Sequence, residues 1–262
     1  MNTNTPQRKT DSSAFTLIEM LVVIAILALL ISIITPTVSR TLDRARTVAC
    51  ASNMRQAAAA VLQYASENEG RLMFLQTPGH HDPSSVPVTN WAGILVRDGY
   101  VDAPMVESAT DIQTGHVFHC PSGLADGLFD WSRPPSSFSD NPSLQRPWAA
   151  PMDTDDGVRF LHVWFGISAR TENWGWPFTR HWRHDNNPRQ TRVAQLRYAD
   201  KTVMIYDGNW TANDTPHRIP ARHGIPRNTT NFAFFDGRVE NIRTREFEWY
   251  GTAADTYPRF RN

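Results

Sequence analysis

The chain has 262 residues, and its 26 basic and 26 acidic side chains leave no formal net charge at neutral pH. That balance removes any electrostatic case for nucleic acid or an anionic surface as a partner. Eighteen prolines and nine tryptophans in a sequence that is 40% hydrophobic describe a folded, loop-rich, aromatic protein rather than a disordered one.

Arg8 and Lys9 precede an apolar run over residues 15–34 that carries a single charge, Glu19. As a helix rising about 1.5 Å per residue, the run covers roughly the 30 Å of a bilayer core. A carboxylate inside that core costs about 2.5–3.5 kcal/mol, so its presence predicts a function and a partner, most simply an amine on another copy of the chain. A secretory signal is cut after its apolar centre, and no convincing small-x-small site follows Ile34. The basic residues ahead of the run place residues 1–14 in the cytoplasm and the bulk of the chain outside, although Arg40, Arg44 and Arg46 count the other way.

The string Ala14-Phe15-Thr16-Leu17-Ile18-Glu19 resembles the cleavage site of type IV prepilins and type II secretion pseudopilins. The resemblance implies removal of a leader, residues 1–14, by a prepilin peptidase that cuts between Ala14 and Phe15 and methylates the new amino terminus of Phe15. It also implies that Glu19 pairs with the terminal amine of a neighbouring subunit during filament assembly, and that Pro36 is the helix-kinking proline of such proteins. Ala14 departs from the usual glycine before the cut, which implies slower processing. Partners implied are the peptidase, other pilin or pseudopilin subunits through the helix, and an inner-membrane assembly platform. The chain is then a single-pass inner-membrane protein with its head in the periplasm. An ordinary anchor fits the hydropathy equally well but does not account for the whole string.

Beyond Pro36 a helical period resumes through Val38, Leu42, Ala45, Ala49, Ser52, Val61, Leu62 and Ala65, and Asn68-Glu69-Gly70 is a stop signal. The expectation is one helix from about Phe15 to Asn68, apolar all round over 15–35 and one-faced over the stalk, 36–70. A head over 71–262 follows, with short apolar runs between turn residues. The fold class is therefore α+β, a long helix packed on a mainly antiparallel β head with long loops. Val203-Met204-Ile205-Tyr206 before Asp207-Gly208 and Phe232-Ala233-Phe234-Phe235 before Asp236-Gly237 read as strands entering tight turns, the second returning through residues 238–242 as a hairpin. Residues 134–151, rich in Ser and Pro, read as a long loop. The two cysteines, Cys50 and Cys120, are open to pairing as a disulfide worth roughly 3–5 kcal/mol by chain entropy, or to standing apart as buried thiols.

A second resemblance covers the head. Cys50-Ala51-Ser52-Asn53-Met54-Arg55-Gln56, Phe118-His119-Cys120-Pro121-Ser122, Arg222-His223-Gly224 and the run from Asn231 to Val239 through Asp236-Gly237 are similar to a planctomycete-type group of pilin-like proteins with a signature of His, a spacer, then Asp-Gly. The interval from His223 to Asp236 is a few residues longer than usual, which puts a shared role for the pair in doubt.

Other constellations carry less. His116 and His119, His181 and His184 with Asp185, and His80, His81 and Asp82 have metal-ligand residue types but no completing Cys or Glu, so no metal is expected at them. Asp153-Thr154-Asp155-Asp156-Gly157 misses the EF-hand spacing and reads as an acidic turn, with calcium as the alternative. Asp207, His223 and Asp236 lack a nucleophile motif, so no catalytic residue and no cofactor are expected. Asp236 with Gly237 is expected to shape a turn, and His223 to hydrogen-bond a backbone carbonyl. Trp164, Trp174, Trp176, Trp182 and Trp210 read as core or subunit contacts before sugar platforms. The leading function is a structural subunit of a type II secretion pseudopilus or type IV pilus-like filament; the rival is a membrane-tethered protein whose head binds a glycan or an exported protein.

Overall fold

The structure is a computed structural model that describes residues 16–74, 76–77, 89–128, 145–167, 169–170, 178–179, 190–196, 198–208, 221–224 and 228–244. Its contacts divide the chain into two compact units, Met1–Leu42 and Asp43–Asn262.

Helix α1, Leu17–Glu67, begins in the first unit. Thr16 starts it with a reciprocal cap: its hydroxyl accepts from the Glu19 N–H at 3.3 Å, while its own N–H donates to Glu19 Oε2 at 2.8 Å. Through residue 34 every described side chain is exposed, including Leu17, Ile24, Leu29 and Ile33. Pro36 sits inside the helix and removes one backbone donor, so the Ser32 carbonyl loses its helical partner. The hydroxyls of Ser32, Thr35, Ser39 and Thr41 turn back onto carbonyls three or four residues earlier, leaving few polar groups to face an apolar medium. The helix is long and apolar enough to cross a membrane.

In the second unit the helix buries Cys50, Met54, Ala57, Ala58, Val61 and Ala65, a stripe at helical spacing. The sequence period places Ala45, Ala49 and Ser52 on that face, yet all three are exposed. The stripe is turned because Cys50 and Met54, larger and fully buried, set the inward direction. The core they join includes Leu72, Trp91, Phe118, Trp164, Phe165 and Ile205.

Around this stripe lie short strands. β1 (Gln76–Thr77) pairs antiparallel with β2 (Thr89–Asn90). Asn90 then caps α2 (Trp91–Arg97), its Oδ1 accepting from the Gly93 N–H at 2.7 Å. This helix has no counterpart in the elements expected from sequence, because seven residues with one glycine give too little periodicity to see. β3 (Trp148–Thr154) and β4 (Gly157–Val163) form a hairpin whose turn holds the exposed Asp155 and Asp156. Part of the expected 134–151 loop is therefore strand, and 134–144 lie outside the described residues. Pro151 is tolerated there because Phe160 opposite it directs both backbone groups away to Val106, so the pair needs no proline N–H.

The principal sheet is antiparallel in the order β10 (Val239–Arg243), β9 (Thr229–Phe234), β8 (Val203–Asp207), β5 (Phe165–Ile167), with a bulge in β8 near Val203. Two-residue strands β6 (Ala169–Arg170) and β7 (Phe178–Thr179) pair in parallel. The α+β expectation holds: one long helix and antiparallel sheets.

Candidate functional site

Four separate segments of the second unit converge behind β8. From α1 come Thr47 and Cys50, one turn apart on one face. Asn53, a further turn on, donates to the carbonyls of His116 at 3.3 Å and His119 at 2.8 Å and so fixes the turn that carries Cys120. Asp207 is the last residue of β8, and Arg222 and His223 arrive on the short segment before β9. Gly224, at φ +83°, donates its N–H to Asp43 Oδ2 at 3.1 Å, holding that segment to the helix.

Asp207 is the hub. Its Oδ1 accepts from Arg222 Nη1 at 2.6 Å, and the same Nη1 donates to the Trp164 carbonyl at 2.6 Å. Its Oδ2 faces Cys50 Sγ at 3.1 Å, Cys120 Sγ at 3.3 Å and His223 Nε2 at 2.5 Å. His223 Nε2 also lies 3.6 Å from Cys120 Sγ and 3.1 Å from Asn231 Nδ2, while its Nδ1 is 3.2 Å from Thr47 Oγ1. Cys50, Cys120, Asp207, Arg222 and His223 are all buried.

Burial alone would raise the pKa of Asp207, but the adjacent Arg222 and His223 charges outweigh it and hold the carboxyl well below the usual carboxylate range. Burial would likewise lower His223; the Asp207 carboxylate and its hydrogen bond win and push the imidazole up to about 10. Burial, then the neighbouring Cys120 and Asp207, drive the Cys50 thiol up. Cys120 resists the same burial through hydrogen bonds from Cys50 and His223 and goes down. A thiol beside an imidazole has the elements of a nucleophile, but no substrate reaches a fully buried sulfur.

The fold brings the two cysteines together as buried thiols facing the same Asp207 oxygen, at 3.1 and 3.3 Å. His223 is a correction: its ring meets Asp207, Thr47, Cys120 and Asn231 side chains, not a backbone carbonyl and not Asp236. Asp236 and Gly237 form the β9–β10 turn apart from it, Asp236 Oδ1 accepting from the Arg238 N–H at 3.0 Å with Gly237 at φ +85°. The strand expected before Asp207-Gly208 is β8; its last residue, Asp207, points inward to Arg222, which supplies the counter-charge, and residues 209–220 lie outside the described residues. The signal that could have found the cluster is the set of motif fragments around Cys50, Cys120 and His223, which the fold brings to one point.

Elsewhere, His116 and His119 sit in a turn whose ring nitrogens meet backbone groups, Gln113 O at 3.1 Å and Gly115 N at 3.2 Å. Trp164 is a core residue, its indole N–H donating to the Leu124 carbonyl. Ala14 and Phe15, the other two histidine clusters, and Trp174, Trp176, Trp182 and Trp210 lie outside the described residues.

No curated protein and no solved structure matches the chain. Residues 9–35 match the family model described as the prokaryotic N-terminal methylation motif, which spans the basic lead-in, the Ala14-Phe15 junction, the capped helix start and the apolar run. At its amino terminus this chain is prepilin-like.

Proposed function

We propose that the chain is a prepilin-like structural subunit, cut between Ala14 and Phe15, methylated on Phe15, and assembled through its apolar helix into a type II secretion pseudopilus or type IV pilus-like filament. The observation that carries this reading is the methylation motif running directly into a fully exposed apolar helix. Exposed Leu, Ile and Val side chains over some five turns need lipid first and neighbouring helices afterwards. In this reading the span sits in the inner membrane, the head in the periplasm, and the peptidase and an assembly platform act in turn. The role is structural, not enzymatic.

Glu19 has two candidate roles, and the cap separates them. Its carboxylate is satisfied by Thr16 on its own chain, which orients it at the helix start, where the methylated amine of a neighbouring subunit can pair with it. Glu19→Gln can still accept from the Thr16 N–H but carries no charge. Assembly lost in both Glu19→Gln and Glu19→Ala, with membrane insertion intact, supports the intersubunit ion pair. Normal incorporation of Glu19→Gln reduces Glu19 to a cap. Processing itself is tested by mass spectrometry of the amino-terminal peptide from native membranes: N-methylated Phe15 is expected, and a retained leader overturns the proposal in favour of a tethered anchor.

A further inference from the structure

We propose that Cys50, Cys120, Asp207 and His223 form a closed, four-coordinate site for a divalent transition metal, zinc first among them, that ties the lower half of α1 to the sheet. The ligand atoms of these four buried residues all lie within 4.8 Å of one another. Two sulfurs, one imidazole nitrogen and one carboxylate oxygen are a donor set that suits tetrahedral zinc, and four protein ligands leave no open position for catalysis.

Each ligand is oriented from behind. Thr47 Oγ1 gives its own proton to the Asp43 carbonyl at 2.9 Å, so it accepts from His223 Nδ1 and leaves Nε2 directed into the cluster. Arg222 occupies Asp207 Oδ1, which leaves Oδ2 as a single ligand oxygen on the side of the thiols. Two thiolates and one carboxylate on a divalent ion leave one negative charge, and the buried Arg222 cancels it. Zinc bonds of about 2.0–2.3 Å give tetrahedral edges of roughly 3.3–3.8 Å. The edges from Oδ2 to the sulfurs, 3.1 and 3.3 Å, and from Nε2 to Cys120, 3.6 Å, are near that range. The 2.5 Å approach of His223 Nε2 to Asp207 Oδ2 must open by roughly 1 Å to admit the ion, and the 3.1 Å approach of Cys50 by a few tenths of an ångström.

Binding releases the two thiol protons and the proton on His223 Nε2 to solvent as both sulfurs and that nitrogen become ligands, so no oxidant or reductant is needed. The metal is a folding element, independent of the processing and assembly proposed above.

The test uses the full chain in detergent, purified without chelator and without reductant. Plasma mass spectrometry should find about one zinc per chain. Chelation should lower the thermal midpoint, added zinc should restore it, and cobalt(II) in its place should give a thiolate-to-metal charge-transfer band. Cys120→Ser and Asp207→Asn should weaken zinc binding at least about tenfold, whereas His162→Gln, outside the cluster, should not. The wild-type cobalt spectrum stands even where a variant fails to fold. A Cys50–Cys120 disulfide, seen as an intact mass lighter by two hydrogens with no alkylatable thiol, overturns the proposal. So does a chain with two free thiols that takes up no zinc, or a cobalt spectrum without the sulfur band.

Discussion

Arg222 Nη1 lies 2.6 Å from Asp207 Oδ1 with both side chains fully buried. Removing one partner of such a pair strands a charge in a low-dielectric interior, at a cost of about 3–5 kcal/mol. Arg222→Met should therefore lower the unfolding free energy by that order, read as a lower urea midpoint. Arg159→Met breaks the largely solvent-facing pair with Glu107 and should leave the midpoint unchanged within error. Equal effects would mean that burial is not what makes the Asp207 pair matter.

Gly166 faces Tyr206 across the β5–β8 ladder, and a Cβ on Gly166 would stand 2.3 Å from the Tyr206 ring. Tyr206 is buried and has little room to withdraw. Gly166→Ala should cost about 1–3 kcal/mol through overpacking, read as a lower denaturation midpoint with an unchanged slope. A neutral result would show that the ring can move.

Gly237 offers the opposite case. A Cβ there meets nothing within 4 Å, but the residue holds φ at +85°. Gly237→Ala should cost about 1 kcal/mol through backbone strain alone, and Gly237→Asn less, since Asn tolerates the left-handed region. Chemical denaturation of the two variants side by side checks the order.

His116 is held neutral, with Nε2 donating to the Gln113 carbonyl and Nδ1 accepting from the Phe118 N–H. Burial lowers its pKa from 6.5 to about 4. The unfolded chain takes up this proton near pH 6.5 and the folded chain only near 4. Stability from this group is thus complete above pH 6.5 and is lost as pH falls towards 4, by at most about 3 kcal/mol. His116→Gln should flatten the fall in stability across that window, measured by urea titration at a series of pH values; an unchanged slope would assign the acid sensitivity elsewhere.

Residues 9–35 and the long helix were legible from the sequence because their signals are local. A processing string, an uninterrupted apolar run and a 3.6-residue period need no knowledge of distant residues. The β9–β10 hairpin was legible for the same reason, since Asp236-Gly237 encodes its own turn. Local signals fail at α2, too short to show a period, and at the buried face of α1, where the alanine-rich stretch 57–60 offers several stripes and only packing selects the one through Cys50 and Met54.

The buried cluster was decided by tertiary structure alone. The same Asp-Gly pairing that forms a turn at Asp236 ends a strand at Asp207, and nothing within a few residues distinguishes them. The difference is Arg222, fifteen residues on, whose charge makes an inward carboxylate affordable, together with Cys50 and Cys120, 157 and 87 residues away, which reach the same oxygen. Sequence by itself determined that residues 9–35 carry a prepilin-like motif and that a helix long and apolar enough to cross a membrane follows from it, because motif and hydropathy are read along the chain. Only the fold determined which polar groups share a buried point, because charge compensation in an interior depends on distance in space.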